Sequence, residues 1–308
     1  MFERLIIPKR LKVGDTIGVV SPSMALDERR QKALETASKI FEDMGFKIKL
    51  APHVFAKDDY SAGTPKQRAS DINAFFTDKD IHMVFCSVGG DTANGVLPFL
   101  DFKTIKRNPK IFMGYSDITV LLNAIKHKTG LQTYHGGCLT HFGAEDLSMY
   151  DIAEFKHILM EGRKGLIPAS DNKRAVVRDG IATGRLIGGN IKCLLKLAGT
   201  SYFPNFKDGI LFLESYRTTP GTVDFMCEHL KQLGVFDQIK GAVVGYIYGL
   251  EKPEIQRPTF EDILKKVSKE YSFPILKCND FGHKCPNTVL PLGAPVRLDT
   301  ERLTLELL

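Results

Sequence analysis

The chain has little cysteine and no tryptophan. None of its 308 residues is tryptophan, and its six cysteines include no pair at Cys-x-x-Cys spacing. Cysteines scattered this thinly are typical of reduced, mostly buried thiols, which excludes a small disulfide-held scaffold. A zinc site formed by Cys278, His283 and Cys285 is conceivable, but it would lack a ligand pair at the usual spacing. We therefore expect no metal.

Long apolar runs are also absent from the sequence. No segment approaches the ~20 apolar residues that a membrane-spanning helix needs. Near the start, only Leu5 to Ile7 are consecutively apolar before Pro8, and this run is too short for a signal peptide. These observations lead us to expect a soluble, cytoplasmic protein with no membrane partner.

Concentrated basic charge is lacking as well. The formal net charge is +6, but Lys and Arg form only short clusters, without the alternation with aromatic residues that stacks on nucleic acid bases. We therefore expect no nucleic acid partner. The remaining composition is that of a globular protein, with 43% hydrophobic and 25% charged residues. A chain of this length is expected to fold as two packed units.

The first half of the chain alternates between short apolar strands and amphipathic helices. Apolar residues at spacings of three and four indicate the helices, and short β-branched runs indicate the strands. Strands are predicted at residues 16–20, 47–50, 82–87 and 110–113, and helices at 29–44, 66–76 and 117–128. This alternation predicts right-handed crossovers and a mostly parallel sheet covered on both faces, an α/β fold.

The pattern changes after about Tyr150. A turn-rich stretch at 165–180, which includes Asp171 and Asn172, is the best candidate for a linker. Beyond it, strands are predicted at residues 210–213, 242–248, 275–278 and 296–298, and helices at 221–233 and 259–269. We interpret this part as a second α/β unit, so the predicted domains are residues 1–165 and 166–308.

A candidate nucleophile lies between a predicted strand and a predicted helix. The strand at 110–113 runs into Gly114-Tyr115-Ser116, and a serine at such a turn, two residues after a glycine, has the geometry of a nucleophile elbow. The free N–H of Asp117 at the helix start could stabilise an oxyanion. Alternatively, Ser116 or Asp117 simply caps the helix, since the second glycine of Gly-x-Ser-x-Gly is absent.

A second glycine turn, Gly89-Gly90-Asp91-Thr92, follows the strand at 82–87. Glycine lets a backbone approach a ligand closely, so Gly89 or Gly90 could supply another oxyanion N–H. The alternative is a phosphate-cradling turn, as in some nucleotide kinases or in a nucleotide-binding α/β protein without hydrolase activity. Thr92 follows Asp91 directly, however, and no Gly-x-x-x-x-Gly-Lys-[Ser/Thr] motif occurs elsewhere.

A serine nucleophile needs a base, usually a histidine that a carboxylate orients. His283 closes a predicted strand in Phe281-Gly282-His283, and Glu214 ends the apolar strand at 210–213. A carboxylate at the end of a buried strand must find a partner, and either a histidine or the nearby Arg217 could be that partner. His135 and His141 compete with His283 as candidate bases.

Together these segments resemble a known family, the LD-carboxypeptidase family of serine peptidases, and within it the microcin-immunity-type branch. They occur in the family's order and cover nearly the whole chain. The matching segments are Ser87–Asp91 with Asn94, Leu97–Asp101, Gly114–Thr119, Gly184–Asn190, Leu213–Glu214 and Phe281–His283.

The resemblance implies a catalytic triad of serine, glutamate and histidine, and an oxyanion hole made of backbone N–H groups. In this chain the triad would be Ser116, Glu214 and His283, and the N–H groups would be those of Gly89, Gly90 and Asp117. The family also implies an N-terminal flavodoxin-like domain carrying the serine, a C-terminal swivelling-type α/β domain carrying the glutamate and histidine, and a homodimer. No metal or organic cofactor is implied.

Two activities occur in this family. One removes a terminal D-amino acid from an L-centre in peptidoglycan fragments, and the other cleaves the amide that joins a peptide or amino acid to a nucleotide in microcin-like antibiotics. The expected substrate is therefore a small peptide, a muropeptide or an aminoacyl nucleotide. Immunity-type members commonly stack a tryptophan on the nucleotide base, so here a tyrosine or phenylalanine would have to replace it.

Overall fold

The computed structural model describes residues 5–170, 174–251 and 258–308. Strands and helices alternate through most of these residues. The strands are β1 Thr16–Val20, β2 Lys47–Leu50, β3 Ile81–Cys86, β4 Ile111–Gly114, β5 Tyr134–His135, β6 Gly165–Leu166, β7 Arg174–Arg178, β8 Ile181–Asn190, β9 Gly209–Tyr216, β10 Gly241–Tyr248, β11 Ile275–Gly282, β12 Leu290–Pro291, β13 Pro295–Asp299 and β14 Thr304–Leu307. The α-helices are α1 Glu28–Asp43, α2 Pro65–Thr77, α3 Phe102–Arg107, α4 Thr119–Thr129, α5 Leu139–Phe142, α6 Met149–Phe155, α7 Ile191–Leu195, α8 Pro220–Gln232 and α9 Phe260–Val267.

The first sheet has the strand order β2-β1-β3-β4-β5-β12 in the described part of the chain. β1 to β5 are parallel, and the order 2-1-3-4-5 is that of flavodoxin-like folds. β12, from the far end of the chain, adds antiparallel to β5. In such sheets ligands bind at the carboxyl ends of the strands, near the point where the strand order reverses. The turns that follow β3 and β4 lie at this edge.

Local sequence signals explain where the helices begin. α2 starts with a capping box in which Thr64 and Gln67 bond each other's backbone N–H groups, and Pro65 occupies the first helical position. The Asp27 side chain accepts the N–H of Arg30 at the start of α1. The predicted helices at 29–44 and 66–76 are therefore present with ends shifted by one residue.

The second sheet has the order β6-β14-β13-β8-β9-β10-β11-β7 among the described residues. Its central strands β8 to β11 are parallel, and antiparallel strands flank them on both sides. The α/β class with two sheets, expected from the sequence, is confirmed. β6 and β7 form within the stretch that we interpreted as a linker, while its residues Asp171 and Asn172 lie outside the described residues.

The two sheets share one hydrophobic core. Phe212 of β9 and Phe281 of β11 belong to the same buried cluster as Phe85 of β3 and Phe112 of β4. The other face of the second sheet packs against α8 and α9 in a separate cluster that includes Leu230. One face of the second sheet is therefore packed against the first unit. In the described ranges, no helix is both long enough and apolar enough to cross a bilayer.

Candidate active site

Ser116 lies in a strained turn between β4 and α4. Its φ angle is 59°, in the left-handed region that non-glycine residues seldom occupy and that costs about 1–3 kcal/mol. A short 3₁₀ turn, Ser116–Ile118, joins the strand to α4, and in the described part of the chain no side-chain hydrogen bond caps either helical segment. The capping alternative is therefore wrong. A Cβ added to Gly114 would lie 2.9 Å from Cγ2 of Ile118, which explains why a glycine precedes the turn.

The Gly89-Gly90 turn lies directly against this serine. A Cβ added to Gly89 would lie 3.0 Å from Oγ of Ser116 and 3.4 Å from the backbone N of Asp117. Gly90 has a φ of 147°, and a Cβ there would lie 2.4 Å from Oγ of Ser23. Backbone this close to a hydroxyl can present N–H groups to an atom bonded to that hydroxyl. The structure thus brings together the two turns that the sequence singled out.

Glu214 and His283 form a hydrogen-bonded pair. Nδ1 of His283 lies 2.7 Å from Oε2 of Glu214, whose side chain has no exposed surface, while the His283 side chain is 12% exposed. Glu214 belongs to β9, and His283 follows β11 on the opposite side of β10. The pairing of β10 with β9 and its pairing with β11 both shift in register next to Gly245. Glu214 therefore pairs with the histidine, whereas the Arg217 guanidinium lies over the Tyr216 ring.

Electrostatics keep the Glu214 carboxyl ionised. Burial by itself raises the pKa of this carboxyl, but electrostatic attraction and hydrogen bonding from its neighbours, first of all His283 and also His135 and Asn190, together bring the pKa below its ordinary value. An ionised carboxylate at Nδ1 holds the imidazole in the tautomer with a proton on Nδ1, which leaves Nε2 free to accept a proton. This is the arrangement that a general base requires.

Two aromatic rings pack against the His283 imidazole. Tyr115, the residue before Ser116, stacks on it with ring centroids 4.8 Å apart. Tyr216, two residues after Glu214, covers it at 4.7 Å and is itself stacked on Tyr248 at 5.1 Å. Because Tyr115 is covalently next to Ser116, this contact places the imidazole beside the serine turn. The two units of the molecule thus meet at the candidate triad.

The loop that carries His283 is anchored to the first unit. Asn287 donates its backbone N–H to Oδ1 of Asp151 at 3.0 Å, and its side-chain oxygen accepts the N–H of Gly282 at 2.9 Å. Thr288 donates its hydroxyl to Oε2 of Glu154 at 2.6 Å. Both carboxylates belong to α6. The bend after β11 is therefore fixed from the opposite unit.

The competing histidines have other surroundings. Nε2 of His141 lies 2.6 Å from Oδ1 of Asp151, which belongs to the anchor of the His283 loop. His135 is fully buried, and neither ring nitrogen has a hydrogen-bond partner among the described residues. Within the same residues, no group of three or more His, Cys, Asp or Glu side chains could hold a metal ion. Cys278 lies instead 3.0 Å from Oδ2 of Asp280.

Sequence reasoning did not single out the aromatic and anchoring residues of the site. The positions of Tyr115 and Tyr216, next to and two residues after the candidate triad members, are the signal that could have pointed to them. The bond between Asp151 and Asn287 joins residues 136 positions apart, so no local pattern could reveal it.

Two protein-family models match the chain. The model described as the LD-carboxypeptidase N-terminal domain matches residues 17–136, and the model described as the LD-carboxypeptidase C-terminal domain matches residues 183–298. The first range contains the Ser116 turn, and the second contains the Glu214–His283 pair. Together the two ranges span more than half of the chain.

Individual proteins are similar over nearly the whole length. The Microcin C7 self-immunity protein MccF of Escherichia coli is 32% identical over 316 residues, covering 94% of this chain and 92% of that protein. The Bacillus subtilis (strain 168) protein named "Probable murein peptide carboxypeptidase" is 30% identical, covering 96% and 92%. A solved structure of MccF in complex with aspartyl sulfamoyl adenosine has a TM-score of 0.91 at 30% identity, with 98% of both chains covered. These matches favour a hydrolase over the phosphate-binding or kinase alternative for the Gly89–Thr92 turn.

Proposed function

Because the chain belongs to the LD-carboxypeptidase family of serine peptidases, we propose that it hydrolyses an amide bond with Ser116 as nucleophile, His283 as general base and Glu214 as the residue that orients His283. The observation that carries this proposal is the pair of Glu214 and His283 stacked on Tyr115, the neighbour of Ser116. Residues 1–165 and 166–308 would then be the two lobes that build one site.

In the proposed mechanism, the Ser116 hydroxyl attacks the amide carbonyl while Nε2 of His283 takes its proton. The buried Glu214 carboxylate stabilises the imidazolium through Nδ1–H. Backbone N–H groups of Gly89, Gly90 and Asp117 would hold the negative charge that develops on the carbonyl oxygen. His283 then gives its proton to the leaving amine, and a water molecule releases the acyl group by the reverse sequence of steps.

The first candidate substrate class is an aminoacyl nucleotide of the microcin type. The structure of MccF with aspartyl sulfamoyl adenosine covers 98% of this chain, so a ligand of that class is the natural first candidate. An LD-peptide bond of a peptidoglycan fragment is the second candidate, because the murein peptide relative is nearly as similar as MccF. A homodimer and a cytoplasmic location stay predictions from the sequence.

Two measurements test the proposal. Purified protein is incubated with an aminoacyl-sulfamoyl adenosine and, separately, with a muropeptide tetrapeptide, and the products are identified by mass spectrometry. A serine-directed phosphonate is used in parallel, with Ser116→Ala as the control variant. We expect cleavage of at least one substrate and a phosphonate adduct on Ser116. Intact substrates together with an unlabelled Ser116 would refute the proposal.

A further inference from the structure

A fully buried carboxylate lies where negative charge is expected to develop. Asp117 follows the nucleophile directly, its side chain has no exposed surface, and its backbone N–H is a candidate oxyanion donor. Its Oδ2 accepts the hydroxyl of Ser23 at 2.6 Å and the backbone N–H of Ala93 at 2.8 Å. These hydrogen bonds help to hold the segment that follows the glycine turn. The negative charge of the carboxylate, however, opposes the formation of an oxyanion nearby.

Lys196, from the second unit, places a positive charge next to the Asp117 carboxylate. Its ammonium group donates to Oδ1 of Asp117 at 2.6 Å and to the carbonyl oxygen of Asp91 at 2.9 Å. The Lys196 side chain is 19% exposed. Among the residues that the structure describes, it is the cation in salt-bridge contact with Asp117. The buried Arg68 guanidinium is also nearby, but it donates to backbone carbonyls, including that of Thr92.

The position of Lys196 is fixed by the contact between the two units. It follows α7, whose first turn is held by Asn190, and the N–H of Asn190 donates to Oγ1 of Thr119 at 3.0 Å. Asn123 of α4 also donates to the carbonyl of Gly188 at 2.9 Å. The lysine thus reaches the serine turn from a docked helix, and one ammonium group bonds both the Asp117 carboxylate and the glycine turn.

We infer that Lys196 is a positioning residue for the oxyanion hole. Its ammonium group neutralises the Asp117 carboxylate and fixes the Asp91 carbonyl of the adjoining turn. This inference rests on the proposed function, because it requires that an oxyanion forms beside Ser116. Without the ammonium, the Asp117 carboxylate would lose its salt-bridge partner and keep only the electrostatic attraction of Arg68, which does not form a salt bridge with it among the described residues. Two unit charges about 6 Å apart, at an effective dielectric constant of about 20, repel by an energy equivalent to about 100-fold in rate.

The experiment compares Lys196→Met, Asp117→Asn and the double variant with the parent enzyme on the substrate that the parent cleaves. Methionine keeps the unbranched side chain up to the position of Cε and removes the charged ammonium group, and the double variant has no charge at the pair. We expect Lys196→Met to lower kcat by about 100-fold with KM little changed. The double variant should recover about tenfold of that loss, because the uncompensated charge is gone.

Lys192→Met is the matched control, because Lys192 is 66% exposed and, among the described residues, forms a salt bridge only with the exposed Asp91 carboxylate, at 3.9 Å. Melting temperatures monitor folding. If Lys196→Met does not fold, Lys196→Gln is compared with Lys196→Arg. The arginine variant keeps the charge and should keep most of the activity. If Lys196→Met has the same kcat as Lys192→Met, the inference is wrong while the proposed function stands. The same holds if the double variant folds but recovers none of the kcat lost in Lys196→Met. A parent that cleaves neither substrate removes the proposed function and this inference with it.

Discussion

The imidazole of His283 and the carboxylate of Glu214 come from strands that lie on opposite sides of β10, yet their polar atoms are 2.7 Å apart. Because Glu214 is fully buried, its charge acts on the imidazole with little screening by water. The pair therefore has the geometry to stabilise an imidazolium, and this gives the first prediction.

Replacing Glu214 by glutamine keeps the shape of the side chain but removes its charge and its preference for Nδ1–H. We expect kcat to fall by about 10³–10⁴-fold, because the imidazole loses its tautomer and the imidazolium loses its counter-charge. Steady-state kinetics on the cleaved substrate measure the effect. Glu270→Gln is the control, since Glu270 is 61% exposed. Equal activities of the two variants would contradict the assigned role of Glu214.

Tyr216→Leu tests whether ring stacking orients the base. Tyr216 covers one face of the imidazole, and aromatic pairs contribute about 0.5–1.5 kcal/mol beyond the area they bury. We expect kcat to fall by up to about tenfold, with the melting temperature nearly unchanged. Tyr248→Leu removes the next ring of the stack, which touches Tyr216 rather than His283, so a smaller effect is expected. The idea fails if Tyr248→Leu is the more damaging variant.

Gly89→Ala tests the close approach of the glycine turn to the nucleophile. The added methyl group would lie 2.9 Å from Cβ and 3.0 Å from Oγ of Ser116, so the turn or the serine must move. A misplacement of about 1 Å at a reacting group costs about 100-fold in rate, so we expect kcat/KM to fall by up to about that factor. Gly95→Ala is the matched control, because its methyl group would meet Pro65 at an ordinary 3.6 Å. Full activity in Gly89→Ala would exclude the turn from the site.

The elements that the sequence predicted are those whose burial is visible in a local pattern. β9 contains the apolar run 210–213 and β10 the apolar run 242–244, so both strands are indicated by local composition. β8 contains Gly184, Gly188 and Gly189, which weaken any strand signal. A Cβ on Gly188 would lie 2.0 Å from the Phe212 carbonyl oxygen, so this glycine is required by a neighbouring strand that lies far away in the sequence.

The same distinction applies to the candidate site. Ser116, Glu214 and His283 could be selected because each lies at or near the carboxyl end of a strand, the place where parallel sheets expose functional side chains. Lys196 could not be selected, because a lysine after a short helix is usually solvated, and its contact with Asp117 joins residues 79 positions apart. Contacts between the units depend on how the two sheets dock, and no local spacing encodes that.

His135 offers a test of the interior of the site through stability. The imidazole is fully buried between the rings of Tyr115, Phe212 and Phe281. Burial lowers the pKa of His135 from 6.5 to about 4, against the attraction of the Glu214 carboxylate and together with the repulsion of His283. His135 is therefore neutral in the folded protein at pH values where the unfolded chain already binds a proton.

Between about pH 6.5 and pH 4 the unfolded state binds more protons at this residue, so the free energy of unfolding decreases as the pH falls through that window. From about pH 7 to about pH 5 the contribution of His135 is a loss of about 2 kcal/mol. This contribution disappears in His135→Phe. Between the two pH values, the unfolding free energy of this variant, measured by urea titration, should therefore fall by about 2 kcal/mol less than that of the parent. His82→Gln, which removes a histidine that is 43% exposed, should keep most of the parental dependence. The burial argument is wrong if His135→Phe and the parent lose the same amount, because then the imidazole is protonated in the folded protein as readily as in the unfolded chain.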